Sequence, residues 1–127
     1  MIKLFISQPM RGKSDAEIQQ ERDRIFRQVS EDTDDQVELI DSFFRGYEDE
    51  HPLVLLGRSI ELMSQADLVY FAVGWEESRG CLIECKCAEA YGKQAAFEID
   101  YSKNPGLQEK VEAAKKRIAE LMAEHEV

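Results

Sequence analysis

Short apolar runs alternate with longer amphipathic segments four times along this 127-residue chain, and no other feature constrains the fold as much. A short run of this kind buries as a strand, and a longer one carries an apolar stripe at helical period. The alternation therefore marks βαβ units and a parallel sheet. Strands are expected over residues 2–6, 37–40, 68–73 and 94–99, the third being the most strand-like and central. Ser14 and Glu17 make a capping box for a helix to about Val29, with Ile18, Ile25, Phe26 and Val29 on its apolar side. Pro52 suits the first turn of a second helix reaching Gln65, and Ser78 can cap a third that ends at Gly92. After Asn104-Pro105-Gly106, residues 107–124 form an amphipathic helix with Leu107, Val111, Ala114, Ile118 and Leu121 on one stripe.

Right-handed crossovers on four such strands give an open parallel α/β sheet of order 2-1-3-4, with helices on both faces. Ligands in such sheets bind outside the carboxyl ends of the strands, near the switch between strands 1 and 3. Three loops are then candidates for a site: 7–13, 41–51 (with Phe43, Phe44 and Tyr47) and 74–80.

No apolar run approaches the roughly 20 residues of a membrane span. The opening MIKLFISQPM turns polar too quickly for a secretion signal. Three cysteines within seven positions, Cys81, Cys85 and Cys87, do not make a disulfide framework. One cytoplasmic domain over residues 1–127 is the expectation. The net charge of −10 opposes binding of a nucleic-acid polymer. Residues 31–50 carry −8 of it, so a small anion remains admissible elsewhere on the surface.

Helical phase on the third helix puts Glu84 on one face with Cys81, Cys87, Ala88 and Tyr91, opposite Lys86, Glu89 and Lys93. A carboxylate aimed at a packed face needs a partner, such as Arg79 or Arg58, or it has a chemical task. Ahead of that helix, Ser78 and Gly80 leave amide groups free for an anion, Arg79 adds charge, and Trp75 offers a flat surface for a base. The same residues also read as a capped helix with a tryptophan packed over its loop. Arg11, Gly12 and Lys13 again suit an anion, but one glycine is too few for a dinucleotide fingerprint or a P-loop. The cysteines read as small core residues, and neither His51 nor His125 has the surroundings of a base or a metal ligand. No metal or other cofactor is expected.

The run Ser7-Gln8-Pro9-Met10-Arg11-Gly12 after the first strand, Ala66-Asp67 opening the third, Gly74-Trp75, and the block from Ser78-Arg79-Gly80-Cys81 through Glu84 and Ala88 to Gly92-Lys93 resemble the nucleoside 2-deoxyribosyltransferase-like superfamily. The resemblance covers residues 2–99 and is strongest to a branch of small bacterial and phage proteins, more distant to the 2′-deoxynucleoside 5′-monophosphate N-glycosidases. It implies a flavodoxin-like fold and a nucleophilic glutamate at Glu84. Ser7, Met10, Arg11, Gly12, Trp75, Ser78, Arg79 and Gly80 would then lie around a nucleoside or nucleotide. The chain departs from the family at Ser59, where relatives carry an aspartate. That change removes a carboxylate from the pair which glycosidic chemistry uses, and leaves three outcomes open: slow activity, another acid such as Asp41, or no activity, with Asp67 shaping the start of its strand.

Two functions follow as expectations: cleavage or transfer at the N-glycosidic bond of a deoxynucleoside or its 5′-monophosphate, or a non-catalytic nucleotide-binding module on the same scaffold. The apolar circumference of the second helix and the oligomeric habit of the relatives imply a homodimer or higher homo-oligomer, with the second and third helices as the contact.

Overall fold

Six residues, Ile2–Ser7, form β1, which is buried from Leu4 onward. β2 (Val37–Leu39) and β3 (Leu68–Phe71) pair with it on either side, and β4 (Ala95–Phe97) pairs with β3. All pairings are parallel, and the order is β2-β1-β3-β4, as the pattern of the sequence requires. The computed structural model describes residues 1–45, 49–100 and 106–124; Tyr47, Asn104, Pro105 and His125, and the side chains of Leu107 and Val111, lie outside that description.

Successive side chains of a strand point to opposite faces, and β1 shows what this does. Leu4 and Ile6 pack with Ile25 and Val29 of α1 (Asp15–Asp32). Phe5 points the other way, to Met63 of α2 (Pro52–Met63) and Ala88 of α3 (Arg79–Ala90). Among the described residues, α1 therefore covers one face and α2 and α3 cover the other, in a flavodoxin-like arrangement.

The helix starts follow local chemistry. Ser14 Oγ accepts from Glu17 N at 3.2 Å while Ser14 N donates to Glu17 Oε1, a complete capping box. Pro52 occupies the first turn of α2, and His51 Nδ1 caps it by accepting from Leu53 N at 3.1 Å. At the end of α3, Gly92 takes φ +68° and lets Lys93 N donate back to Ala88 O at 2.9 Å.

Several strand ends differ from expectation. β1 runs on through Ser7, whose carbonyl accepts from Ala72 N. β3 stops at Phe71, because Gly74 at φ +87° turns the chain into a single 3₁₀ turn, Trp75–Glu77. β4 shrinks to three residues, although Glu98 N still donates to Phe71 O. α4 (Leu107–Glu124) has the predicted span, with Ile118 57% exposed. Among the described residues no helix is long and apolar enough to cross a membrane.

Candidate functional site

The loops after β1 and β3 meet at the carboxyl end of the sheet, where strand order switches. Between them lies an open cleft of about 650 Å³. Pro9, Met10, Arg11 and Lys13 line one side; Val73, Gly74, Glu77, Ser78, Arg79 and Gly80 line the other. Met10, Arg11, Ser78, Arg79 and Gly80 thus come together as the sequence pattern suggests. Gly12 stands at the tip of the first loop with φ +79°, a conformation few other residues adopt. A side chain at Gly80 would meet nothing within 4 Å, so this position faces open space.

Ser78 has a structural duty at this cleft. Its Oγ accepts from Cys81 N at 3.4 Å and caps α3. The first-turn amides of Arg79 and Gly80 have no acceptor within the helix, which gives the cleft wall a partial positive charge. Exposed Arg11 and Arg79 add full charges of the same sign, with Glu77 as an opposing acid on the rim.

Glu84 is not one of the cleft-lining residues. It sits one helical turn beyond Gly80, 8% exposed, and with Cys81 and Ala88 it makes up the buried face of α3. Tyr91, assigned to the same face by helical phase, is exposed beyond the end of the helix. Burial pushes the Glu84 carboxyl up to about 7, and the nearby Ser7 hydroxyl opposes part of that rise. Glu84 Oε2 and Ser7 Oγ are both sealed from solvent and neither has a hydrogen-bond partner. Neither suggested arginine pairs with Glu84: Arg58 reaches Glu50 at 3.7 Å, and Arg79 lies on the cleft wall.

Trp75 faces elsewhere. Its ring tilts against Phe71 and Phe97 at centroid distances of 5.5 and 4.9 Å, and it lines a separate recess of about 340 Å³ with Phe97, Glu98 and Ile99. The described residues of the loop after β2, 41–45 and 49–51, do not line the cleft either. His51 from its far end joins Leu53, Leu56 and Ile83 around another recess, which shares Arg79 and Gly80 with the cleft. Asp67 is exposed and holds the start of β1 by accepting from Lys3 N at 2.9 Å. Exposed Asp41 accepts from Phe43 N, and Ser59 is half-buried on α2.

A polar network beneath the first loop has no counterpart in the sequence reading. Arg22 of α1 is 1% exposed and donates to Gln8 Oε1 at 3.0 Å, Ile40 O at 3.2 Å and Ser42 Oγ at 3.3 Å. Burial lowers the pKa of its guanidinium, and Asp41 pulls in the opposite direction. Gln8 in turn donates to Glu21 Oε1, which also meets Lys13 Nζ at 3.5 Å. The network ties α1 to the ends of β1 and β2. The signal was present, since Arg22 stands four residues after Ile18 and three before Ile25, on the apolar stripe itself.

Fold and site together define an open parallel α/β domain whose cleft at the strand ends carries cationic side chains, with a buried carboxyl group one helical turn along α3 from its Gly80 wall. No family model, curated protein or solved structure matches the chain.

Proposed function

We propose that the chain cleaves or transfers at the N-glycosidic bond of a 2′-deoxynucleoside or its 5′-monophosphate, with Glu84 as the nucleophile. The observation that carries this reading is a carboxyl group buried without a charged partner next to a cleft lined by Arg11, Lys13 and Arg79. A carboxylate buried for structure alone is normally paired. The phosphate would sit between Arg11 and the N-terminus of α3. Ionised Glu84 attacks C1′ and forms an ester, while the base leaves with the bonding electrons and takes up a proton. Water, or a second base, then displaces Glu84 from C1′ with overall retention.

Ser59 favours a second reading, a non-catalytic nucleotide-binding module, because α2 offers a hydroxyl where the resembled family has an aspartate. The decisive assay measures base released from a panel of deoxynucleosides and their 5′-monophosphates, with and without an acceptor base, for wild type and Glu84→Gln. Release that Glu84→Gln abolishes supports the enzyme. Binding of a monophosphate without release by either protein supports the module.

The assembly we propose is a homodimer through α2 and α3, where Leu53, Val54, Leu82 and Ile83 are exposed side chains. Light scattering at micromolar concentration tests it, and a mass of 14.6 kDa throughout would rule it out. The compartment we propose is the cytoplasm, where three free thiols on one helix stay reduced.

A further inference from the structure

Strand and helix periods bring Ser7 opposite Glu84. Phe5 of β1 and Ala88 of α3 share one core cluster. Two residues further along a strand the side chain returns to the same face, about 6.6 Å on. Four residues back along a helix the side chain also returns to its face, about 6 Å away. The strands run towards the cleft and α3 starts there, so the step from Phe5 to Ser7 matches the step from Ala88 to Glu84. Both Ser7 and Glu84 are buried, and each leaves a polar atom, Ser7 Oγ and Glu84 Oε2, sealed from solvent without a partner. The other group facing this pair is the buried Cys81 thiol, which Ser7, Ser78, Glu84 and Glu21 of α1 all influence.

We propose that Ser7 is a positioning residue for Glu84: its Oγ–H donates to Glu84 Oε2 when the carboxylate is ionised, and this leaves Oε1 as the oxygen not engaged by Ser7. A hydroxyl has one proton to donate and two lone pairs, so Ser7 can serve Glu84 and still accept from Cys81. A hydrogen bond from a hydroxyl to a carboxylate is short and charge-assisted, and it fixes the plane of the carboxylate. Ser7 is thereby assigned to the acid rather than to the substrate. The inference rests on the proposed function only in calling Glu84 a nucleophile.

The test is a carbon-detected NMR titration of glutamate carboxyl groups in the full chain, with the Glu84 signal assigned by its loss in Glu84→Gln. In wild type the midpoint should lie at about 7. Ser7→Ala should move it up by about one pH unit, a tenfold change in the ionisation constant, because the ionised form loses its donor. Ser7→Thr, which keeps the hydroxyl, should restore it. An unchanged midpoint in a folded Ser7→Ala protein overturns the inference. Should Ser7→Ala fail to fold, Ser7→Cys carries the same test with a poorer donor, and an unchanged midpoint there overturns it equally. The titration needs no turnover. A shifted midpoint in a protein that releases no base from any nucleotide would remove the glycosidase reading and uphold the role of Ser7.

Discussion

Arg22 and Glu84 are both ionisable, both buried and both on helices that flank β1, yet their surroundings differ completely. Arg22 gives its protons to three oxygens from two segments, Gln8 on one and Ile40 and Ser42 on the other. Glu84 has a sealed oxygen with no donor bound to it. A buried charge hydrogen-bonded to acceptors on two segments holds those segments together. A buried acid left incompletely solvated is held at a free-energy cost, which a binding or catalytic site can use. One face of the sheet thus secures the loops, and the other holds an acid whose pKa burial raises to about 7.

The largest effect should come from Arg22→Ala. It leaves Gln8 Oε1, Ile40 O and Ser42 Oγ without their donor and opens a cavity, so a loss of roughly 3–5 kcal/mol is expected in urea unfolding. A loss below about 1 kcal/mol would mean that the network is ornamental and would break the comparison.

Glu84→Gln should act in the opposite direction above neutral pH. The folded carboxyl titrates at about 7 against 4.5 for a free side chain. The folded state therefore holds its proton more tightly than the unfolded state. The contribution of this group is most favourable below pH 4.5 and is lost as pH rises through 7. Over that window wild type should lose roughly 3 kcal/mol that Glu84→Gln does not. Parallel stability curves for the two proteins between pH 4 and 8 would contradict this. If turnover is found, its rate should rise with pH through about 7, since the attacking form is the ionised one.

Ser78→Ala sharpens the contrast at the cleft. Loss of the cap on α3 should destabilise by about 1 kcal/mol in thermal unfolding. A loss of nucleotide affinity beyond that effect would show that the Ser78 hydroxyl also meets the ligand. The smallest change is expected for Lys13→Ala. Its bond to Glu21 spans 3.5 Å at a partly exposed site, so a few tenths of a kcal/mol is expected. Its effect on binding of a monophosphate should exceed its effect on stability, and equal affinities for mutant and wild type would remove Lys13 from the anion site.

Much of this was legible in the sequence because it depends on periods and caps. Alternating run lengths specified the parallel sheet and its order. Ser14 with Glu17, Pro52, Ser78 and Gly92 marked helix boundaries, each through a local hydrogen bond or backbone preference that needs no distant partner. The phase of α3 likewise turned Cys81, Glu84 and Ala88 inward.

Only the tertiary structure decided what stands opposite each inward-facing residue. A helical period says that Arg22 and Glu84 face the sheet, but not that Gln8, Ile40 and Ser42 await the first, while Glu84 Oε2 finds no hydrogen-bond partner. The same limit applies to Trp75. Its loop reads equally well with the ring over the cleft or packed away from it, and the choice was made by Phe71 and Phe97, the latter 22 positions later. Burial area and ring contacts of that kind depend on which strands become neighbours. The sequence by itself determined the elements, their order and the inward faces; the packing of separate elements decided which buried group is hydrogen-bonded and which keeps an oxygen without a partner, because hydrogen-bond partners come from other parts of the chain.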